Sequence, residues 1–233
     1  MTTRQHISAQ FAAELEAIRS AVMEMGGQVE RQIVLASEGL ENRDSGLAEQ
    51  AIAIDRDINR MEVEIDEQCA VILARRQPAA GDLRLIISII KLTTDLERIG
   101  DEASRVSRLV IKLASKAGSD PIYQHMARVA RHVSGMLRQA LDAFARMSAS
   151  AAVRVVLSDK EIDHDYREGL AKLTAGMRAA PDEVESFLDH MWALRSLERI
   201  GDHATNIAEH VVYLARGVDI RHLGEDGLES MLK

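Results

Sequence analysis

The sequence predicts an all-α protein made of two tandem three-helix bundles, and three observations carry that prediction. A six-residue word is spelled twice, as Leu96-Glu97-Arg98-Ile99-Gly100-Asp101 and as Leu197-Glu198-Arg199-Ile200-Gly201-Asp202, about a hundred residues apart. A repeated word of this length marks two related halves. Around the first copy, Leu92, Leu96, Ile99, Ala103, Val106, Val110 and Leu113 recur in steps of four and three. Ala193, Leu197, Ile200, Ala204, Ile207, Val211 and Leu214 do the same around the second. That spacing is the apolar seam of a helix. Finally, aromatic residues make up only 3 % of the 233 and proline occurs three times. A sandwich or barrel needs more aromatic and β-branched alternation than this, whereas long helices need few prolines.

Taken in order, helix 1 is expected from about Ser8 to Leu40, with Phe11, Leu15, Ile18, Val22, Met25, Val29, Ile33, Ala36 and Leu40 on its seam. Gly26-Gly27 weakens it locally, by about 1 kcal/mol per Gly relative to Ala, and reads as a kink or a close helix contact. A turn at residues 42–46 leads to helix 2, Leu47 to Arg75, with Ile54, Ile58, Met61, Ile65 and Ile72 inward. Pro78 ends the next connection, and helix 3 runs from Gly81-Asp82 to about Lys116. The halves join at Gly118-Ser-Asp-Pro121, where Asp120 suits an N-cap and Pro121 the first helical position. Helix 4 carries Ile122, Met126, Val129, Val133, Met136, Ala140, Phe144 and Met147, and a weak break at residues 148–150 precedes helix 5, Ala152 to Arg178. Pro181-Asp182-Glu183 opens helix 6, which ends near Gly217. The expected units are thus 1–117, 118–217 and a loose tail, 218–233, where no period is sustained.

A formal charge of −8, with Lys and Arg scattered, argues against nucleic acid as a partner. No apolar run approaches the ~18 residues of a membrane span. The longest candidate, Leu83 to Leu92, is broken by Arg84, Ser88 and Lys91, and the first residues lack a signal-peptide core. The single cysteine, Cys69, reads as a small core residue, and the composition fits the cytoplasm.

Within each word the two acids stand four apart, on one helix face, roughly 6 Å apart along the axis. They flank the seam and are expected to face outward. A hairpin centred on Pro78 makes Asp55 level with Asp101 and Asn59 with Glu97. A second, centred between Ala180 and Pro181, makes Asp159 level with Asp202 and Asp163 with Glu198. Four oxygen-bearing side chains at one level repel unless a cation lies between them. Facing helices hold metals with such carboxylates, and an all-oxygen set suits hard ions or iron better than a structural zinc site. One acid pair at this spacing is ordinarily a solvated face; its duplication, with level partners in both halves, favours metal. Asn59 leaves the first set one carboxylate short, so the second is expected to bind more tightly, unless Glu62 and Asp95, nearly level, extend the first.

Other candidates carry less. Glu161-x-x-His164 has the spacing of di-iron bundles but occurs once where that architecture needs two. His203 and His210 read as surface histidines, although His203 could reach an ion held by Asp202. No Gly-rich phosphate loop and no Ser/His/Asp set is placed, so the expectation is a non-enzyme. The alternative is a carboxylate-bridged metalloenzyme on a helical bundle.

The chain resembles the PhoU family across nearly its whole length. The similarity rests on Phe11-x-x-Glu14-Leu15 with Met25-Gly26-Gly27, Met61-Glu62-Val63-x-Ile65-Asp66, Arg76-Gln77-Pro78, Asp82-Leu83-Arg84-Leu85, Leu141-Asp142-Ala143-Phe144-Ala145-Arg146-Met147, and both copies of Glu-Arg-Ile-Gly-Asp. The resemblance implies two three-helix bundles with surface motifs for multinuclear metal: Glu97 with Asp101 and Glu198 with Asp202, met by Asp55 with Asn59 and Asp159 with Asp163. Iron, zinc, manganese and magnesium are the metals it brings into question. It also implies a cytoplasmic, homodimeric negative regulator of phosphate uptake and phosphate-starvation signalling. Its partners would be the Pst phosphate ABC transporter and a PhoR-type histidine kinase, with contact to the membrane only through them.

Overall fold

The computed structural model describes residues 3–114 and 121–232. They form seven α-helices and, among the described residues, no strand: α1 (Thr3–Asn42), α2 (Ser45–Arg76), α3 (Ala80–Ala114), α4 (Pro121–Ala145), α5 (Ala149–Ala179), α6 (Val184–Arg216) and the short α7 (Glu225–Ser230), with a 3₁₀ turn (Pro181–Glu183) leading into α6. No helix among them is long and apolar enough to cross a membrane. The expected cap Asp120 and the end of helix 3 at Lys116 lie outside the described residues.

Short connections reverse the chain with local chemistry. Asp44 caps α2, its side chain accepting from the backbone N–H of Gly46 at 2.8 Å and Leu47 at 3.2 Å. Ser148 caps α5 in the same way, accepting from Ala151 at 3.3 Å. Such caps satisfy backbone donors that a first helical turn leaves unpaired. Met147, expected to extend the seam of helix 4, instead takes a left-handed backbone, φ 52°, in that turn. Gly217, at φ 70°, closes α6 by donating its N–H to the Tyr213 carbonyl at 2.7 Å.

All fourteen seam residues flanking the two words are buried, as are Ile18 to Leu40 along α1 and Ile122 to Phe144 along α4. Cys69 is fully buried, and burial pushes its thiol up to about 12. The helices assemble in four ranks: α2, then α1 with α3, then α4 with α6, then α5. The two central ranks meet through α1 on α4 and α3 on α6. The α3–α6 pair is antiparallel, for Lys112 reaches Asp189, Glu102 reaches Arg199, and Asp95 reaches Asn206. Glu14–Arg76 ties α1 to α2, and Glu30–Arg138 ties α1 to α4.

Two expectations change, and a third is decided between its alternatives. The hairpin registers are displaced by about two residues: Ile162 faces Gly201, and Gly169 faces Leu194. The cause lies in the turns, where helix α2 ends at Arg76 and α5 continues to Ala179. The tail is not loose, because α7 packs on α5 with Leu228 buried, and Ile220 is buried ahead of it. Two or three apolar anchors suffice for so short a segment, too few to show as a period. Of the two readings of Gly26-Gly27, the close contact holds and the kink does not, for α1 runs unbroken through the pair. A Cβ added at Gly26 would stand 2.7 Å from Leu141 Cδ1 on α4, so this glycine marks a close helix contact.

That contact gives a test of how the two halves pack. Gly26→Ala gains about 1 kcal/mol of helix propensity but overpacks against Leu141, at about 1–3 kcal/mol, so a net loss is expected. Leu141→Ala alone should lose about 2–5 kcal/mol. In chemical denaturation the double variant should lose less than the two single losses together, because the new methyl group occupies space Leu141 vacates. Strict additivity would contradict the contact.

Candidate metal centres

Both words lie in mid-helix, so neighbouring helices and not loops set the level of their acids. A Cβ on Gly100 would stand 3.3 Å from Ile58 Cδ1 and 3.2 Å from Gln32 Oε1; on Gly201 it would stand 3.2 Å from Ile162 Cγ2. The glycine therefore admits a side chain from the hairpin partner, Ile58 of α2 or Ile162 of α5, and not a backbone. This brings each hairpin together where its carboxylates stand.

In the second half α5 supplies Asp159 and Asp163, and α6 supplies Glu198 and Asp202. Glu198 is 8 % exposed, against the expectation that both acids of the word face outward, while Asp202 is exposed. Burial pushes the Glu198 carboxyl up, and the nearby charges of Asp202 and Asp163 push it further; Arg195, which donates to its Oε1, opposes them. Its Oε2 is buried with no hydrogen-bond partner. Asp159 is likewise pushed up by burial, with Asp202 and Asp163 adding to the effect, although Thr205 donates to its Oδ1 at 3.0 Å. Asp163 accepts from Arg167 at 3.1 Å.

In the first half α2 supplies Asp55 and Asn59, and α3 supplies Glu97 and Asp101. Burial pushes Glu97 up, followed by the charges of Asp101, Glu62 and Asp55, with Arg98 opposing. Glu62 is raised by burial and then by Asp66 and Asp101. The structure thus brings Glu62 into this set beside Asp55, Glu97 and Asp101, while Asn59 is exposed. Asp95 turns away. It accepts from His203 Nδ1 at 2.8 Å and Asn206 at 3.1 Å, with His210 Nε2 at 3.3 Å, all on α6. His203 and His210 are accordingly half-buried links between the halves and not surface histidines.

Gln32 is a further participant. Fully buried on α1, it donates to the Gly100 carbonyl at 3.1 Å and Ser104 Oγ at 3.0 Å, and more distantly to Asp55 Oδ1 at 3.4 Å. Its Oε1 has no partner. The signal for it was a polar residue at a seam position, three after Val29 and four before Ala36.

Each hairpin carries four carboxylates along its facing helices, several with raised pKa and one with an orphaned buried oxygen, and oxygen donors of this kind suit a hard cation. Among the described residues no three His, Cys, Asp or Glu side chains stand close enough together to hold a metal ion as they are placed here, so a cation would have to draw them in. Asp55, Glu62, Glu97 and Asp101 would hold the cation of the first half, and Asp159, Asp163, Glu198 and Asp202 that of the second. With Glu62 included, the carboxylate count no longer favours the second set.

Two repeats of three long helices, each gathering carboxylates on its second and third helices, define a duplicated helical-bundle protein. The PhoU domain matches twice, over residues 22–110 and 126–211, and the chain belongs to the PhoU family. A phosphate-specific transport system accessory protein PhoU homolog of Pseudomonas aeruginosa is 53% identical over 219 residues, covering 94% of this chain and 90% of that one. The accessory protein PhoU of Escherichia coli is 42% identical over 232 residues, covering 100% of this chain and 96% of its own. Among solved structures, PhoU from Pseudomonas aeruginosa superposes with a TM-score of 0.87 at 52% identity, over 89% of this chain and 100% of that chain. A phosphate transport system regulatory protein PhoU from Streptococcus pneumoniae gives 0.82 at 28% identity, over 90% and 98%.

The raised carboxyls set a pH dependence. A carboxyl whose pKa folding raises binds its proton more tightly in the native state than in the unfolded chain. Its ionised form then costs stability at neutral pH, and the cost disappears as pH falls through the raised value toward the ordinary glutamate value of about 4.3. With metal removed by chelator, Glu198→Gln should raise the thermal midpoint at pH 7, by an amount that shrinks toward pH 4. Thermal melts of both proteins at several pH values check this; an advantage growing on acidification would contradict it.

Proposed function

We propose that this protein is a non-enzymatic, metal-binding adaptor that restrains phosphate uptake and phosphate-starvation signalling. It would stand between a Pst-type phosphate ABC transporter and a PhoR-type histidine kinase, as a cytoplasmic homodimer that meets the membrane through these partners. The observation that carries the role is near-full-length similarity to proteins named as accessory or regulatory components of phosphate transport. What supports the metal is the duplicated carboxylate set with its buried, unpartnered Glu198 Oε2. Iron, zinc, manganese or magnesium would supply positive charge to acids that otherwise repel, joining α2 to α3 and α5 to α6. The metalloenzyme alternative gains nothing from Glu161-x-x-His164, since Glu161 pairs with His132 at 3.3 Å and His164 is exposed.

Two experiments test this reading. Deleting the gene should leave phosphate-starvation genes expressed in phosphate-rich medium; normal repression in a deletion strain without a second copy would refute the regulatory role. Metal content by mass spectrometry, at a fixed free-metal concentration near half-saturation, should fall for Glu97→Ala with Asp101→Ala, and for Glu198→Ala with Asp202→Ala. Glu62→Gln should lower it further in the Glu198→Ala with Asp202→Ala variant, whose first set is otherwise intact, and add little to Glu97→Ala with Asp101→Ala. Unchanged content in both double variants would refute the metal centres.

A further inference from the structure

A carboxylate has two oxygens, and a protein donor on one of them fixes how the other is presented. In the second half three of the four carboxylates are tied by one oxygen each. Thr205 Oγ1 donates to Asp159 Oδ1 at 3.0 Å, Arg167 donates to Asp163 Oδ2 at 3.1 Å, and Arg195 donates to Glu198 Oε1. Among the described residues no hydrogen bond reaches Asp159 Oδ2, Asp163 Oδ1 or Glu198 Oε2. Each of these acids thus has one oxygen held and one open.

The first half differs. Of Asp55, Glu62, Glu97 and Asp101, only Asp55 accepts from a side chain among the described residues, with Gln32 Nε2 at 3.4 Å from its Oδ1. That amide has two hydrogens and two nearer acceptors, Ser104 Oγ at 3.0 Å and the Gly100 carbonyl at 3.1 Å. Arg98 stands 3.7 Å from Glu97, beyond hydrogen-bond reach. The internal repeat shows where the difference arises. Ser104 and Thr205 occupy the same position, four residues after the glycine of each word. A Cβ on Gly100 would meet Gln32, whereas one on Gly201 would meet Val133, at 3.6 Å. Valine offers no hydrogen bond, and with no glutamine beside it the Thr205 hydroxyl turns to Asp159.

The three ties of the second half are not equivalent. Arg167 and Asp163 form an i, i+4 pair with side chains 71 and 47 % exposed, a setting in which water and salt leave little of the attraction. Arg195 brings a positive charge, which opposes any cation on the same carboxylate. Thr205 is neutral and, like Asp159, half-buried. It alone restrains its acid without adding positive charge.

We infer that Thr205 is a positioning residue of the second metal centre: its hydroxyl holds the Asp159 carboxylate so that Oδ2 is presented to a cation. The inference rests on the metal reading of these carboxylates. Partners of this kind, behind the ligands themselves, orient the donor atoms and tune the affinity of metal sites.

Full-length protein stripped by chelator is titrated with Mn(II), the free ion being measured by its electron paramagnetic resonance signal. Glu97→Ala with Asp101→Ala reports the second centre, and Glu198→Ala with Asp202→Ala the first. In the former parent, Thr205→Val keeps the shape of the side chain without its hydroxyl and should weaken binding about 10–100-fold, the usual effect of losing an outer partner. Thr205→Ser should restore most of the affinity. In the latter parent, Thr205→Val should leave the first centre's affinity where it was. Far-UV circular dichroism of the chelated proteins establishes that the variants keep their helices. Binding in Thr205→Val that is unchanged or tighter, or a Thr205→Ser variant no better than Thr205→Val, overturns the inference. So does equal weakening of both centres, the mark of a merely structural tie. Failure of the Glu97→Ala with Asp101→Ala parent to take up Mn(II), before Thr205 is altered, refutes the second metal centre itself and the inference with it.

Discussion

The architecture depends on the contact between α3 and α6, where the repeated helices lie antiparallel and each half meets the other's most regular seam. Apolar packing supplies most of the attraction there, at about 1.5–3 kcal/mol for each large side chain fully buried. The polar groups placed within it fix the alignment. Glu102 is almost wholly buried and shared by Arg105 of its own helix and Arg199 of the other. Removing one cation would leave a buried charge with half its compensation, and losing a partner in such a setting is strongly destabilising. Asp95, bound by His203, Asn206 and His210, does the same about two turns away. Sliding the halves by one helical turn would therefore strand two buried carboxylates.

That alignment also positions the candidate metal centres. Each word has one edge on the seam and another toward its hairpin partner. Leu197 and Ile200 pack inward, while Glu198 and Asp202 look toward α5. Arg195 pairs with Glu198 beside the candidate centre and also lines, with Trp192 and Glu102, a cavity of about 490 Å³ on the α3–α6 seam. A cation at the unpartnered Oε2 of Glu198 would share that carboxylate with Arg195, which donates to Oε1.

What could be read from the sequence follows from how far each signal reaches. The seams were plain because burial on a helix imposes a period, and every residue from Leu92 to Leu113 on that period is buried. The duplicated acids were plain because the word itself repeats. Contacts between halves leave no such trace: His203 and His210 meet an aspartate more than a hundred residues away, and nothing in their spacing distinguishes them from surface histidines. Glu62 was visible only as a near-level neighbour. The match to Asp95 alone could not tell that Glu62 turns toward Glu97 while Asp95 turns to α6. Register was off by two residues because the turns do not reverse the chain symmetrically about a proline.

The asymmetry of the two hairpins has a practical side. Ile58 and Gly100 are separated by three residues more than Ile162 and Gly201, yet the same contact forms in both. The surplus is absorbed at the far end of the α2–α3 hairpin, around Gln77, which already takes a left-handed backbone. Length at that tip is free to vary while everything below it holds its place. It is therefore the natural place to attach a fluorophore, an affinity tag or a tether to a surface, and the equivalent tip of α5–α6 offers a second such anchor at the other end of the molecule.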